Sequence, residues 1–132
     1  MTLEQGTELG PNTFTITRAD LVRYAGASGD FNPIHWSDRV AMSVGLPGVL
    51  AHGMYTMALA GRAVDSWLDE GQRVVEFGVR FTKPVLVPDD DLGTQIDVSG
   101  QVVDVGEERT RIDLTVMCGE TKVLGMARVF VA

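Results

Sequence analysis

The sequence is poor in cysteine, has no basic cluster and has no long apolar run, and each absence narrows the class of protein. Cys118 is the only cysteine, so no disulfide can form within the chain and a reducing cytoplasm is the expected setting. The longest apolar candidate, residues 48–64, is interrupted by His52 and Arg62, which argues against a membrane-spanning helix. The first five residues lack the basic and apolar regions of a secretory signal.

The charge distribution argues against a nucleic-acid partner. The formal net charge is −7, and the 11 lysines and arginines are scattered singly along the chain. The sequence also lacks a glycine-rich phosphate loop, an HExxH motif and a cysteine-pair metal motif, and its two histidines are far apart. We therefore expect no metal site, although a few local basic residues could still bind a single phosphate or a pantetheine-type ligand.

The size and the periodicity of the chain predict one α+β domain over residues 1–132. A composition of 45% hydrophobic and 22% charged residues is that of a globular protein. A short strand is predicted at residues 12–16, followed by a helix from residue 18 to about 26–29, a helix of about two turns that ends before Gly45 and a long helix at about 51–67. Four strands of period two follow, the first from residue 73 onward and the others at 94–105, 109–118 and 122–131. Short turns make the later strands antiparallel, so the long apolar helix should pack on a twisted antiparallel sheet.

A loop with several polar side chains lies between the first two predicted helices, from Ser28 to His35. Proline restricts its own backbone and that of the preceding residue, so Asn32 and Pro33 cannot continue a helix. Asp30 and His35 can then converge, and an imidazole that transfers a proton near pH 7 beside a carboxylate that orients water forms a catalytic pair. The alternative is that Asp30 caps a turn and His35 is structural, but the Gly-Asp-Xaa-Asn-Pro-Xaa-His context favours function.

The start of the long helix offers a second polar element, Ala51-His52-Gly53-Met54. The first N–H groups of a helix have no partner within the helix and lie at its positive end, so the Gly53 N–H could stabilise an oxyanion. Taken alone, Gly53 is better explained as a close-packing or helix N-terminal glycine. His52 could be a second base, but a buried, hydrogen-bonded histidine that fixes the helix start is the simpler interpretation.

Large apolar side chains could line an acyl pocket, although such patterns usually belong to the core. The candidates are Met54, Met57, Phe77 and Phe81. On the long helix we expect one methionine and small-residue face to be deeply buried, formed by Met54, Met57, Ala58, Ala60 and Gly61.

The segments from Tyr24 to His35 and from Ala51 to Met54 resemble the signature of the MaoC-like dehydratases, which have the hot-dog fold. Residues 79–85 also resemble the central strand of that family, so the resemblance covers nearly the whole chain. Within the family, the His-Gly-Met-Xaa-Thr-Met segment at 52–57 is similar to the catalytic β subunit of mycobacterial-type (3R)-hydroxyacyl-ACP dehydratases. Some relatives have a supporting serine in the long helix, where this chain has Gly61.

The resemblance implies a hydro-lyase that converts (3R)-3-hydroxyacyl thioesters of CoA or acyl carrier protein reversibly into trans-2-enoyl thioesters. His35 would transfer the C2 proton, Asp30 would bind the C3 hydroxyl or water, and Gly53 N–H would bind the thioester oxygen. Asn32 would keep the loop in shape, and no metal or redox cofactor is required.

Three functions are compatible with the sequence. The first is a dehydratase of fatty-acid elongation, and the second is an (R)-specific enoyl-CoA hydratase that serves fatty-acid degradation or polyester precursors. The third is a non-catalytic hot-dog subunit that binds acyl chains. By family analogy the chain pairs with an identical chain or with a second hot-dog subunit, and the sequence leaves that choice, the acyl length and the carrier open.

Overall fold

A computed structural model describes residues 3–132 as an antiparallel sheet that packs against one long helix. The elements, in chain order, are β1 (Glu8–Ile16), α1 (Arg18–Ser28), a 3-10 turn (Pro33–His35), α2 (Asp38–Ser43), α3 (Gly53–Trp67), β2 (Val74–Phe81), β3 (Thr94–Val105), β4 (Thr110–Cys118) and β5 (Thr121–Val131). The predicted α+β arrangement is confirmed. No helix among these residues is both long and apolar enough to cross a bilayer.

The five strands lie in the order β1-β3-β4-β5-β2, and all neighbours are antiparallel. Two tight turns generate the central strand pairs, and the second contains Gly119 with a φ of 61°, a conformation that favours glycine. β2 returns after α3 to pair with β5, so β1 and β2 form the two edges of the sheet.

Helix α3 packs on the sheet through a face different from the predicted one. Its buried residues are Thr56, Leu59, Ala60, Ala63, Val64 and Trp67. Of the predicted buried face only Ala60 is buried, whereas Met54 is 57% exposed. That expectation was wrong because small residues and methionines occur on two sides of α3, and the branched residues Leu59 and Val64 fill the sheet side. At the helix end, Trp67 lies over Gly100, where a Cβ atom would come within 2.9 Å of the indole.

Two element boundaries also differ from the expectation. β1 begins at Glu8 rather than near residue 12, because Gly10 and Pro11 lie at a bulge between Leu9 and Asn12 and do not end the strand. α3 begins at Gly53 rather than at Ala51, because the Ala51 N–H donates to the Val85 carbonyl and so belongs to an extended segment.

That extended segment forms a short ladder with residues 85–87, which the sequence indicated only as a bend or edge. Ala51 N donates to Val85 O at 2.9 Å, Val87 N donates to Val49 O at 3.0 Å, and Leu50 lies opposite Leu86. Val49 and Val85 are buried in the core, so the ladder holds the chain immediately before α3 against the body of the domain.

An ion pair holds this ladder to helices α1 and α2. Arg18 Nε donates to Val87 O at 2.6 Å, and Arg18 Nη2 donates to the Asp38 carboxylate at 2.9 Å. Asp38 Oδ1 also accepts from Val49 N at 2.9 Å. The Val49 N–H first, and the Arg18 guanidinium second, keep the pKa of Asp38 below its ordinary value.

We expect Asp38→Asn to lower the urea midpoint of unfolding at pH 7, because the amide loses the charge that binds Arg18 and orients Val49. Asp65→Asn is the matched control, since the exposed side chain of Asp65 on α3 makes no hydrogen bond or ion pair with residues 3–132. Urea unfolding followed by far-ultraviolet circular dichroism measures both variants. Equal midpoints for the two variants would contradict a stabilising role for the Asp38 carboxylate.

Candidate active site

The loop between α1 and α2 is ordered by its own polar side chains. Gly29 ends α1 with a φ of 78°, in the left-handed region that suits glycine. Asp30 Oδ1 then accepts from Asn32 N at 3.1 Å, and Asn32 Oδ1 accepts from Ile34 N at 3.2 Å. These two local turns place Pro33 at the start of the 3-10 turn and direct His35 toward the interior.

His35 is buried and held in one orientation by the ladder segment. Its Nδ1 lies 2.7 Å from the Leu50 carbonyl oxygen. Because a carbonyl only accepts hydrogen bonds, Nδ1 carries the proton and a neutral ring leaves a lone pair on Nε2. His35 Nε2 lies 3.8 Å from Asp30 Oδ2, and the Asp30 side chain is half exposed. The imidazole of His35 and the carboxylate of Asp30 are therefore neighbours, and no hydrogen bond between them occupies the lone pair on Nε2.

His52 lies directly behind this pair. Its ring stacks on the His35 ring with centroids 3.9 Å apart, and its Nε2 donates to the Asp30 carbonyl oxygen at 3.1 Å. Tyr24 contacts the His52 ring edge-on. Burial is the main cause that lowers the pKa of His52 below its ordinary value. A neutral His52 therefore fixes the position of the Asp30 backbone and supports the ring of His35.

The first turn of α3 presents two N–H groups to the same region. Neither Gly53 N nor Met54 N has a hydrogen-bond partner within residues 3–132, whereas the next two, on Tyr55 and Thr56, donate to the His52 carbonyl. A Cβ atom on Gly53 would come within 2.8 Å of the Phe81 ring. The glycine is thus required for close approach, and its N–H remains open to an acceptor.

A cleft of about 620 Å³ joins these groups. Asp30, His52 and Gly53 line it, together with the residues Tyr24, Ser28, Leu50, Ala51, Met54, Thr56, Phe81, Thr82, Lys83, Pro84, Val85, Val123 and Leu124. His35 is not a lining residue: it is 7% exposed and lies next to the Asp30 carboxylate. The lining combines polar groups of the loop and of the α3 start with apolar side chains of β2, β5 and the ladder.

The structure separates the four predicted acyl-lining residues into two pairs. Met54 and Phe81 line the cleft, whereas Met57 and Phe77 do not. Phe77 instead packs beside Gly61, whose added Cβ would lie 3.5 Å from its ring. Sequence reasoning missed Val123 and Leu124, which β5 brings from far along the chain without any local signal. It also missed Thr56, which its spacing of three residues after Gly53 could have indicated.

Asp30, His35 and His52 are the one group of possible metal ligands among residues 3–132, with ligand atoms within 4.8 Å of one another. His52 Nε2 faces the Asp30 carbonyl and so carries a proton, which leaves the Asp30 carboxylate, His35 Nε2 and the unpaired His52 Nδ1 as the possible ligand atoms.

Comparisons with known proteins agree on one family. The family model described as MaoC like domain matches residues 2–122. The 3-hydroxyacyl-thioester dehydratase X of Mycobacterium tuberculosis is 42% identical over 73 residues, which make up 55% of this chain and 25% of that protein. The 3-hydroxybutyryl-CoA dehydratase of Methylorubrum extorquens is 30% identical over 104 residues, or 78% of this chain and 63% of that protein. The chain therefore spans only a quarter of the length of the mycobacterial relative.

Solved structures show the same relationship. A MaoC-like dehydratase superposes with a TM-score of 0.91 at 34% identity, over 98% of this chain and 40% of that chain. The R-hydratase of Pseudomonas aeruginosa superposes with a TM-score of 0.82 at 28% identity, over 98% of this chain and 81% of that chain.

The lowered pKa of His52 predicts a loss of stability in mild acid. The unfolded chain binds a proton at His52 below about pH 6.5, whereas the folded protein resists that proton, so the unfolded state holds more protons in this range. The contribution of neutral His52 to the free energy of unfolding is fully present above pH 6.5. It falls as the pH falls through the folded-state pKa, with a slope of at most about 1.4 kcal/mol per pH unit. Urea unfolding between pH 7 and pH 5 measures it, and His52→Gln should flatten the slope. An NMR titration midpoint for the His52 ring at or above 6.5 would contradict the prediction.

Proposed function

Because the chain belongs to the MaoC-like domain family, we propose that it catalyses the reversible dehydration of (3R)-3-hydroxyacyl thioesters to trans-2-enoyl thioesters. The observation that carries this proposal is that a carboxylate and a free helix N–H line one cleft, with an imidazole lone pair directly behind the carboxylate. Asp30, His35 and Gly53 supply them. A β-elimination beside a thioester needs these three functions.

In the proposed dehydration, His35 Nε2 removes the proton from C2 as the C3–O bond breaks. The C–H electron pair forms the C2–C3 double bond, and the hydroxyl leaves C3. Asp30 binds this hydroxyl and relays to it the proton that His35 has taken from C2, so the hydroxyl leaves as water and both side chains return to their starting protonation states. The distance of 3.8 Å between His35 Nε2 and Asp30 Oδ2 suits this exchange, since the substrate can lie against both groups on one face.

The Gly53 N–H would bind the thioester carbonyl oxygen, where negative charge grows as C2 loses its proton. The positive end of the α3 dipole and the absence of a competing partner make this N–H an effective donor. Asn32 would keep the loop in its shape through the hydrogen bond to Ile34 N. The acyl chain would lie along Met54 and Phe81, which are apolar lining residues of the cleft.

Hydration of an enoyl-CoA is the second candidate, because the same groups catalyse the reverse reaction. The R-hydratase of Pseudomonas aeruginosa supports it, since this chain covers 81% of its length. A non-catalytic subunit is the less suitable interpretation. Binding an acyl chain would not require a carboxylate and a free N–H on one cleft with an imidazole behind the carboxylate.

A second hot-dog chain is the proposed partner. Solved structures with the same fold include the ChsH1-ChsH2 complex and the HadBC complex, both from Mycobacterium tuberculosis. In this chain, β2 is an edge strand, and Val75 and Phe81 on it are 43% and 56% exposed. Phe81 also lines the cleft, so a partner on this edge would cover the site as well. We place the assembly in the cytoplasm, which suits the free Cys118.

We expect Asp30→Asn and His35→Ala each to reduce hydration of a trans-2-enoyl-CoA by about 100-fold or more, because each removes one proton-transfer group. The initial rates, measured as the loss of the enoyl-thioester absorbance, are compared with that of the unmodified chain. Asp65→Asn on the outer side of α3 is the control. Full activity in both site variants would contradict the proposed roles.

Partner dependence is tested separately. The chain alone and the chain co-expressed with a neighbouring hot-dog chain are compared by light scattering and by the same hydration assay. We expect an assembly larger than the 14.3 kDa monomer in the active sample. Full activity in a sample that is monomeric at the assay concentration would contradict the partner proposal.

A further inference from the structure

We propose that Thr56 is a substrate-binding residue whose hydroxyl joins the Gly53 N–H as a second hydrogen-bond donor to the thioester oxygen. The inference rests on the proposed function and adds a residue to its site. Thr56 is 2% exposed and lines the cleft. Its side chain makes no hydrogen bond within residues 3–132.

The hydroxyl of Thr56 is therefore available to a ligand in the cleft. Among residues 3–132, His52 Nδ1 is the one fully buried polar side-chain atom without a partner. The Thr56 hydroxyl has no partner among these residues either, but Thr56 borders the open space of the cleft, where a ligand can supply one. A hydroxyl this enclosed is costly to leave unpaired, and a ligand in the cleft would satisfy it.

A threonine within a helix often satisfies its hydroxyl on the carbonyl one turn earlier. In α3 that carbonyl belongs to His52, and it accepts the N–H groups of Tyr55 and Thr56 at 3.0 and 3.2 Å, without the Thr56 hydroxyl. The local bond that would make Thr56 purely structural is therefore absent.

Position in the helix directs this hydroxyl toward the Gly53 N–H. Residues three apart share a helix face, and helix side chains lean toward the N-terminus. Thr56 follows Gly53 by three residues, so its side chain leans back over the first turn, where the N–H groups of Gly53 and Met54 are free. One acceptor oxygen in the cleft can then receive a bond from Gly53 N–H and one from Thr56.

The other available partner is the unpaired Nδ1 of His52, four residues earlier on the same face. A bond there would make Thr56 a support for His52 instead of a substrate contact. The two roles differ in what they stabilise: a support stabilises the folded protein, whereas a substrate donor stabilises the transition state as charge develops on oxygen.

The test compares Thr56→Val and Thr56→Ser with the unmodified chain in its active assembly, with Thr115→Val on the exposed side of β4 as the control. Valine keeps the shape of threonine and removes the hydroxyl, so kcat for enoyl-thioester hydration should fall about 100-fold with KM nearly unchanged. Serine should restore most of that loss. The urea midpoint of Thr56→Val should stay at or above that of the unmodified chain, because no hydrogen bond within the protein is lost.

Wild-type kcat in Thr56→Val would overturn the inference and leave the proposed function intact. A lowered urea midpoint together with unchanged kcat would also overturn it, and would assign Thr56 to the support of His52. If the unmodified chain, alone and with its partner, fails to hydrate any enoyl thioester, the proposed function fails first and the inference with it.

Discussion

The hydrogen bond from His35 Nδ1 to the Leu50 carbonyl is the constraint on which the site depends. It fixes the tautomer, so that the lone pair lies on Nε2 beside Asp30. A backbone carbonyl is an acceptor that cannot ionise, so it always offers a partner to the Nδ1–H group of His35. A carboxylate in the same position would add a second charge and raise the basicity of the ring. Here the protein sets the orientation of the base without adding charge.

The carbonyl of Leu50 is itself held on both sides. The ladder with residues 85–87 pairs its neighbours Val49 and Ala51, and Arg18 with Asp38 joins that ladder to both short helices. Buried valines of the ladder pack in the core, so the loop residue His35 is hydrogen-bonded to a segment that is fixed against the sheet. The same segment leads directly into α3. One element therefore positions the base and also places the Gly53 N–H.

The sequence predicted much of this arrangement because its signals are local. Period-two patterns separated by glycine turns gave β3, β4 and β5 nearly to the residue, and Asn32-Pro33 predicted the loop. It did not predict the His35 bond to Leu50, because a carbonyl is present at every residue and leaves no pattern. The exposure of Met54 was also missed, since periodicity defines a helix face without telling which face meets the sheet. The start of β1 was missed too, because a bulge that tolerates Gly10 and Pro11 is a property of strand pairing.

The electrostatics of the cleft explain why the exposure of Phe81 matters to the proposed chemistry. Hydrogen bonds to a developing oxyanion strengthen as water is excluded, because the effective dielectric falls. In the single chain the Asp30 side chain is half exposed and the Phe81 ring beside Gly53 is 56% exposed, so water reaches both ends of the proposed reaction. Covering the β2 edge would bury the same ring that contacts Gly53. Subunit association and transition-state stabilisation would then act on one surface, so the loss of a partner would reduce turnover before any catalytic residue had changed.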